Sequence, residues 1–287
     1  MSETQRVAEA FRAACRDELE SPKPGNVHLF APGHRMKAQD FLDSAEAAAP
    51  SIAARDLTVG ARILGAIRAT QARVGQNTNL GIVLLCAPLA QAALHHSSEP
   101  LQTGVARVLA ELTREDADFA FKAIARANPG GLGTAPQHDV RAPARANLLD
   151  AMRAAEERDR IAYQYANDFT DIFGLGRATL REARRENCGK TLTTLRVYLS
   201  FLTAFPDSHI ARKFGPETAT QLMREARDFV ATFGPNAREG VAAAAALRWD
   251  SVLKQRGLNP GTSADLTVAT LFAEYLAAGL ANAGKNG

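Results

Sequence analysis

The sequence predicts an all-α fold, a single compact multi-helix domain over residues 1–287. Three observations carry that expectation. Apolar residues recur at helical spacing in nearly every stretch between loops. Alternating runs bounded by hairpin turns, which would mark strands, are scarce. No linker-like change of composition and no internal repeat divides the chain, so one domain fits better than two. The hydrophobic fraction of 46% and the charged fraction of 23% supply both a sizeable core and a solvated surface.

In chain order, residues 3–20 place Val7, Phe11, Ala14, Cys15 and Leu19 on one helix face. Residues 40–49 read as a helix with Asp40 near its start, and residues 57–74 as one carrying Val59, Ile63, Ile67 and Ala69 at helical spacing. Residues 79–95 are the most continuously apolar, which marks a central buried helix. Thr113 and Asp116 form a capping box that opens a helix through residue 127. Glycines and prolines make residues 128–144 a loop. A long helix is expected from residue 146 towards 173, ending at Gly-Leu-Gly. Further helices are expected at 180–185, 191–204, 216–232, 237–254 and 262–281, with "AGKNG" fraying at the end. The pattern amounts to about ten helices.

The net charge of +3 is small, and no block of like charge occurs. Neither nucleic acid nor a membrane is therefore expected as a partner. The three cysteines include no CxxC pair, which fits a reduced cytoplasmic protein without a disulfide framework. The N-terminus lacks the apolar core of a signal peptide, and no apolar run reaches the ~18 residues of a membrane span. A homodimer stays open.

Several motifs fail. "NCGKTLT" has Arg184 where a phosphate-binding loop needs its first glycine, and "GLGTAP" and "GLGRAT" carry Pro136 and Thr179 in place of the third glycine of a dinucleotide fingerprint. No HExxH or GxSxG is present.

Four segments ask for more than structure. In "SPKPGNVHLFAPGH" two prolines stiffen the backbone around Lys23, and Gly25-Asn26 permits a turn and close approach to a ligand. Lys23, Asn26, His28, His34 and Arg35 together suit phosphate oxygens, although a surface loop with chance charges has the same composition. "GQNTNLG" sets Asn77, Thr78 and Asn79 at the start of the most apolar helix, as a cap or as an anion or base-edge site. In "FPDSHIARKFGPE", Asp207 or Ser208 caps a short helix with His209, Arg212 and Lys213 on one face. "NPGTSADL" contains a second capping box, Thr262 to Asp265, so Asp265 is either a cap or a chemical group. Asp168 and Asp171 share a helix face and form a candidate divalent-cation site, or a polar stripe.

These segments, with "GHRM" and "DFLDSA" between them, resemble the triphosphoribosyl-dephospho-CoA synthase family from about residue 18 to 272, in the same order. The resemblance implies an all-helical enzyme that moves the 5-triphosphoribosyl group of ATP to a hydroxyl of dephospho-CoA or a related acceptor and releases adenine. It implies ATP as substrate and Mg2+ as the accompanying ion. On that footing Lys23, Arg35, Arg212 and Lys213 hold the polyphosphate, with Gly25, Asn26, His34 and Ser263 beside them. Asp168 and Asp171, or Asp40 and Asp43, hold the ion. Asn77, Thr78 and Asn79 read the base or ribose. The general base stays open among Asp265, His28 and His209, and both histidines can also act as the acid towards adenine. Asn26, His28 and Arg35 look more like a sister branch found in archaea and one-carbon-metabolising bacteria. Two further readings follow: an ATP-dependent transferase or ligase in the biosynthesis of a one-carbon carrier of methanopterin or methylofuran type, and a non-catalytic helical scaffold.

Overall fold

The structure, a computed structural model, describes residues 1–131, 133, 138–232 and 239–283. Among them the fold is all-helical, with fourteen α-helices, one π-helical turn and no strand. Helices α1 (Glu3–Leu19), α2 (Ala38–Ala53), α3 (Val59–Val74) and α4 (Leu80–His95) are followed by α5 (Leu101–Ala110), α6 (Arg114–Ala127), α7 (Leu148–Arg153) and α8 (Arg160–Ala166). The π-helical turn Ile172–Gly176 runs into α9 (Arg177–Arg185). Helices α10 (Lys190–Ala204), α11 (Ser208–Phe214), α12 (Pro216–Ala231), α13 (Glu239–Gln255) and α14 (Gly261–Ala283) complete the order.

Helix α4 runs through the middle, buried almost all round and packed by α1, α2, α3, α5 and α14. An all-apolar helix has no face to give to water, so neighbours must cover every side. A second apolar cluster joins α10, α11, α12 and α13 through Leu195, Tyr198, Leu202, Ile210, Leu222 and Leu253. Helix α14 takes part in both: Ala264 sits in the second cluster, and Leu266 to Phe272 supply the first. Among the described residues no helix is long and apolar enough to cross a membrane.

The elements depart from the sequence expectation in two places. Helix α5 forms where none was expected, because Leu101, Val105, Val108 and Leu109 bury one stripe directly after Pro100. The long helix expected over 146–173 is broken twice. Asp159 caps α8 through the amides of Ile161 and Ala162, and Asp168 and Phe169 then take positive φ of 49° and 56°. Phe169 is fully buried, so the core holds the chain in a left-handed bend that propensity alone disfavours. Residues 132 and 134–137 of the expected loop, the expected helix start at 237 and the last four residues lie outside the described residues.

Candidate active site

The segment Ser21–His28 is buried throughout. The Lys23 Nζ donates to the carbonyls of Glu18 (2.8 Å) and Val27 (2.9 Å) and pairs with Glu18 Oε1 at 3.1 Å. All three of its donors are thereby used inside the protein, so Lys23 does not present a cation to a phosphate. Burial pushes the Lys23 ammonium down and the Glu18 carboxyl up, each opposed by the other's charge. The Gly25 amide donates to Asp250 at 2.8 Å, and its φ is +83°. A Cβ there would come within 2.8 Å of the Leu258 carbonyl, so glycine serves chain packing and not ligand approach. Tyr198 closes the segment by donating to the Pro24 carbonyl at 2.7 Å. His28 lies 3.2 Å from Asp250 Oδ2 in the same buried layer. It does not line the cleft described next. Of residues 21–28, Asn26 alone lines that cleft, its amide held by Asn259 Oδ1 at 2.8 Å.

A cleft of about 1170 Å³ opens beside α4, bounded by the 26–36 segment, α6, α7, α8, α11 and the start of α14. Its lining combines apolar side chains of α4, α6 and α7 with a polar and charged part, Asn26, Asn77, Thr78, His209, Arg212, Lys213 and Asp265. Asn77 caps α4 by accepting from the Leu80 amide at 3.2 Å, and Thr78 Oγ1 meets Ser44 Oγ at 2.6 Å. Asn79 turns away and donates to Thr70 Oγ1 at 3.0 Å, so two of the expected trio face the cleft.

Asp207 organises the charged wall. One carboxylate oxygen accepts from the amides of His209 (2.9 Å) and Ile210 (3.2 Å) at the start of α11. The other accepts from the amide and the hydroxyl of Ser263, both at 2.8 Å, in the first turn of α14. The capping box expected at 262–265 does not form, because α14 begins at Gly261 and takes its cap from Asp207. Ser263 is fully buried in that cap and is not a phosphate ligand. Asp265 is left with no hydrogen bond or ion pair among the described residues, on the cleft wall against Gly81, where any Cβ would overlap its carboxylate. Burial, with Asp207 and Glu18 nearby, pushes the Asp265 carboxyl well above the ordinary range.

His209 follows on the same wall. Burial, then the charges of Arg212 and Lys213, push it down to about 3, so its ring is neutral near pH 7. Arg212 is oriented by Gly130 O at 3.1 Å and Asp159 Oδ2 at 3.3 Å, whereas Lys213 is exposed on the cleft lining, with no ion pair among the described residues. The Nε2 of His34 donates to the Gly25 carbonyl at 2.8 Å, which leaves Nδ1 an acceptor and unsuited to an anion. His34 and Arg35 occupy a tight turn with φ of 56° and 63°; Arg35 is exposed and does not line the cleft.

The aspartates expected to hold a metal are not brought together. Asp171 is taken by Arg160 at 2.7 and 2.9 Å and by Gln164 at 2.5 Å, while Asp168 is exposed at the left-handed bend. Asp40 accepts from the Lys37 amide and Gln76, and Asp43 from Gln39. None of the four lines the cleft.

Sequence reasoning missed the run Glu156-Glu157-Arg158-Asp159-Arg160, all of which lines the cleft. Arg160 is held rigid between the rings of Tyr163 (3.6 Å) and Phe205 (4.2 Å). Five charged residues in succession cannot share the outer face of an amphipathic helix, and that was the signal available.

A family model described as CitG, ATP:dephospho-CoA triphosphoribosyl transferase, matches residues 4–283. Among solved structures, one from Archaeoglobus fulgidus with a provisional assignment as a triphosphoribosyl-dephospho-CoA synthase is 22% identical. It superposes with a TM-score of 0.60 over 81% of this chain and 96% of that one, which shows a shared fold. No curated protein matches the chain.

Proposed function

Since the chain belongs to the ATP:dephospho-CoA triphosphoribosyl transferase family and is a transferase, we propose that the cleft carries out this transfer on dephospho-CoA, with Asp265 as proton donor to adenine. The bond from the ribose C1′ of ATP to adenine breaks, and a bond from C1′ to the acceptor's 2′-hydroxyl oxygen forms. The hydroxyl gives up a proton, and adenine takes one as it leaves. The displaced carbon passes through an oxocarbenium-like state, so the site must serve a departing base, an incoming hydroxyl and a polyphosphate tail.

The observation that carries this reading is the Asp265 carboxyl: it lines the cleft, caps nothing, and burial with Asp207 and Glu18 nearby pushes it well above the ordinary carboxylate range. Those properties fit a proton donor better than a base. His209, neutral and lining the same cleft, can offer a ring nitrogen as hydrogen-bond acceptor to the attacking hydroxyl. Arg212 and Lys213 provide the positive charge for the triphosphate. Asn26, Asn77 and Thr78 supply hydrogen-bonding edges for the base or ribose.

No group of three metal-ligating side chains occurs among the described residues. The cleft does present carboxylates besides Asp265, Glu156 and Glu157 among them, and Mg2+ is commonly held by one or two carboxylates together with substrate phosphates. The residues fit an ion carried in with ATP, which would neutralise phosphate charge.

The test is adenine formation from ATP and dephospho-CoA, followed by chromatography. Asp265→Asn should lower kcat by about 10²–10⁴-fold, the usual worth of positioned proton transfer. Its melting temperature should match the wild type, because no cap is lost. Turnover at the wild-type rate in Asp265→Asn would remove the proposed role. Formation of ADP, AMP or pyrophosphate in place of adenine would remove the reaction itself.

A further inference from the structure

The proposed transfer moves two protons, and one of them has no settled destination. Asp265 gives a proton to the departing adenine, and the acceptor's hydroxyl loses one as it attacks C1′. His209 can accept a hydrogen bond from that hydroxyl, but a ring pushed down to about 3 does not retain a proton near pH 7. A further carboxylate lines the same cleft: Glu18, at the end of α1. It is 4% exposed, and among the described residues its carboxylate has one hydrogen-bond or ion-pair partner, the Lys23 Nζ at 3.1 Å from Oε1. An ionised carboxylate offers about four lone-pair positions, so burial with a single donor leaves most of them empty. The other buried acids are better served. Asp207 accepts from the amides of His209, Ile210 and Ser263 and from the Ser263 hydroxyl. Asp116 accepts from the amides of Gly60 and Thr113 and from the Thr113 hydroxyl. Asp250 has the Gly25 amide, Lys254 and His28, and Asp17 has Tyr275 and Lys190. None of these four lines the cleft; Glu18 does.

Glu18 and Asp265 lie at the same end of α4. The Asp265 carboxylate is against Gly81, and Glu18 borders a small crevice with Asn79 and Ile82. Their settings differ in the way that separates an acid from a base. Asp265 has no cation bonded to it among the described residues, so burial holds its proton. Glu18 has the Lys23 ammonium, itself fixed by the carbonyls of Glu18 and Val27, which favours the charged form. Burial lifts the proton affinity of Glu18 above the ordinary carboxylate range, and the Lys23 charge restrains the rise. We propose that Glu18 is the general base of the transfer, its carboxylate taking the proton from the acceptor's hydroxyl, with Lys23 as the positioning residue behind it. The O–H bond breaks as the bond from C1′ to oxygen forms. Glu18 ends neutral and Asp265 ends ionised, and one proton passing between them through solvent resets the pair. This rests on the proposed triphosphoribosyl transfer.

Two variants test the step. Lys23→Met with Glu18→Gln removes the carboxylate without stranding a buried charge, and Glu18→Ala opens room for an external base. Thermal melts establish that each is folded, and titration calorimetry measures ATP binding. Adenine release from ATP and dephospho-CoA is then followed with and without sodium formate. The double variant should bind ATP within about twofold of the wild type and lose about 10²–10⁴-fold in kcat, the usual worth of positioned proton transfer. Formate should raise the rate of Glu18→Ala in proportion to its concentration, because a small carboxylate fits the place left beside Lys23, and should leave the wild type unchanged. Where Glu18→Ala does not fold, the double variant decides alone. A folded double variant that turns over at the wild-type rate would overturn the proposal. So would ATP binding lost in step with turnover, which assigns Glu18 to the nucleotide. A folded Glu18→Ala that is inactive and unmoved by formate would assign the residue to holding the 21–28 segment, against the proposal. Asp265→Asn at the wild-type rate would instead remove the proton donor and leave Glu18 in place, whereas a wild type that releases no adenine would remove the reaction and this step together.

Discussion

Removing the Lys23 ammonium leaves the Glu18 carboxylate buried without its partner, and Lys23→Ala is expected to cost about 3–5 kcal/mol of stability. The double variant Lys23→Met, Glu18→Gln should recover most of that loss, because it removes both charges. Denaturant melts of the three proteins check this. Full stability with lost ATP affinity in Lys23→Ala would return the residue to the phosphate site. His209 gives a pH prediction. Its folded-state value is depressed to about 3 from the ordinary 6.5, so the unfolded chain binds a proton before the folded one does. Stability from this residue is therefore complete above pH 6.5 and is lost as pH falls towards 3. His209→Gln lacks that term, so its melting temperature relative to wild type should rise progressively over that range. A difference independent of pH would show an ordinary exposed histidine.

At the level of elements, the decisive feature is a cap shared between helices. Asp207 satisfies amides at the starts of α11 and α14 together, and so fixes His209 and Arg212 relative to Asp265. Asp207→Ala removes two caps, each worth about 1 kcal/mol, and should cost about 2 kcal/mol or more. Adenine formation should fall with it, because the charged wall loses its geometry. Asp207→Asn keeps one accepting oxygen and should lie between. Calorimetric melts and turnover on the same samples measure both effects; activity lost at unchanged stability would instead place Asp207 in the chemistry. The two sequence-visible capping boxes had opposite fates. Thr113 and Asp116 bond each other at 2.9 and 3.1 Å, while the other Asp116 oxygen accepts from the Gly60 amide at 2.8 Å. At 262–265 the Asp207 carboxylate from far upstream accepts from the Ser263 amide, and Thr262 Oγ1 accepts from the His209 amide, so the box does not close and Asp265 lines the cleft.

Across the whole molecule, α14 draws residues from both apolar clusters, and the cleft is lined by residues of α11 and α14 together with residues of α4, α6 and α7. The helical class was legible because 3.6-residue periodicity is a local property of each segment, as was the central place of α4, whose sequence leaves no polar face. The charged wall was partly legible: His209, Arg212, Lys213, Asp265, Asn26, Asn77 and Thr78 were singled out and converge. The run 156–160 was not, because its line-up on the cleft depends on breaks at Asp159 and Asp168 that the core imposes. By itself, then, the sequence determined the helical class, the family and the residue types available for the chemistry, since these follow from local spacing and ordered motifs. Only the tertiary structure decided which of those residues meet. Lys23, His28 and Gly25 turn inward to hold the buried segment, whereas Asp265 and His209 turn to the cleft, because burial and hydrogen-bond competition act between segments far apart in the chain.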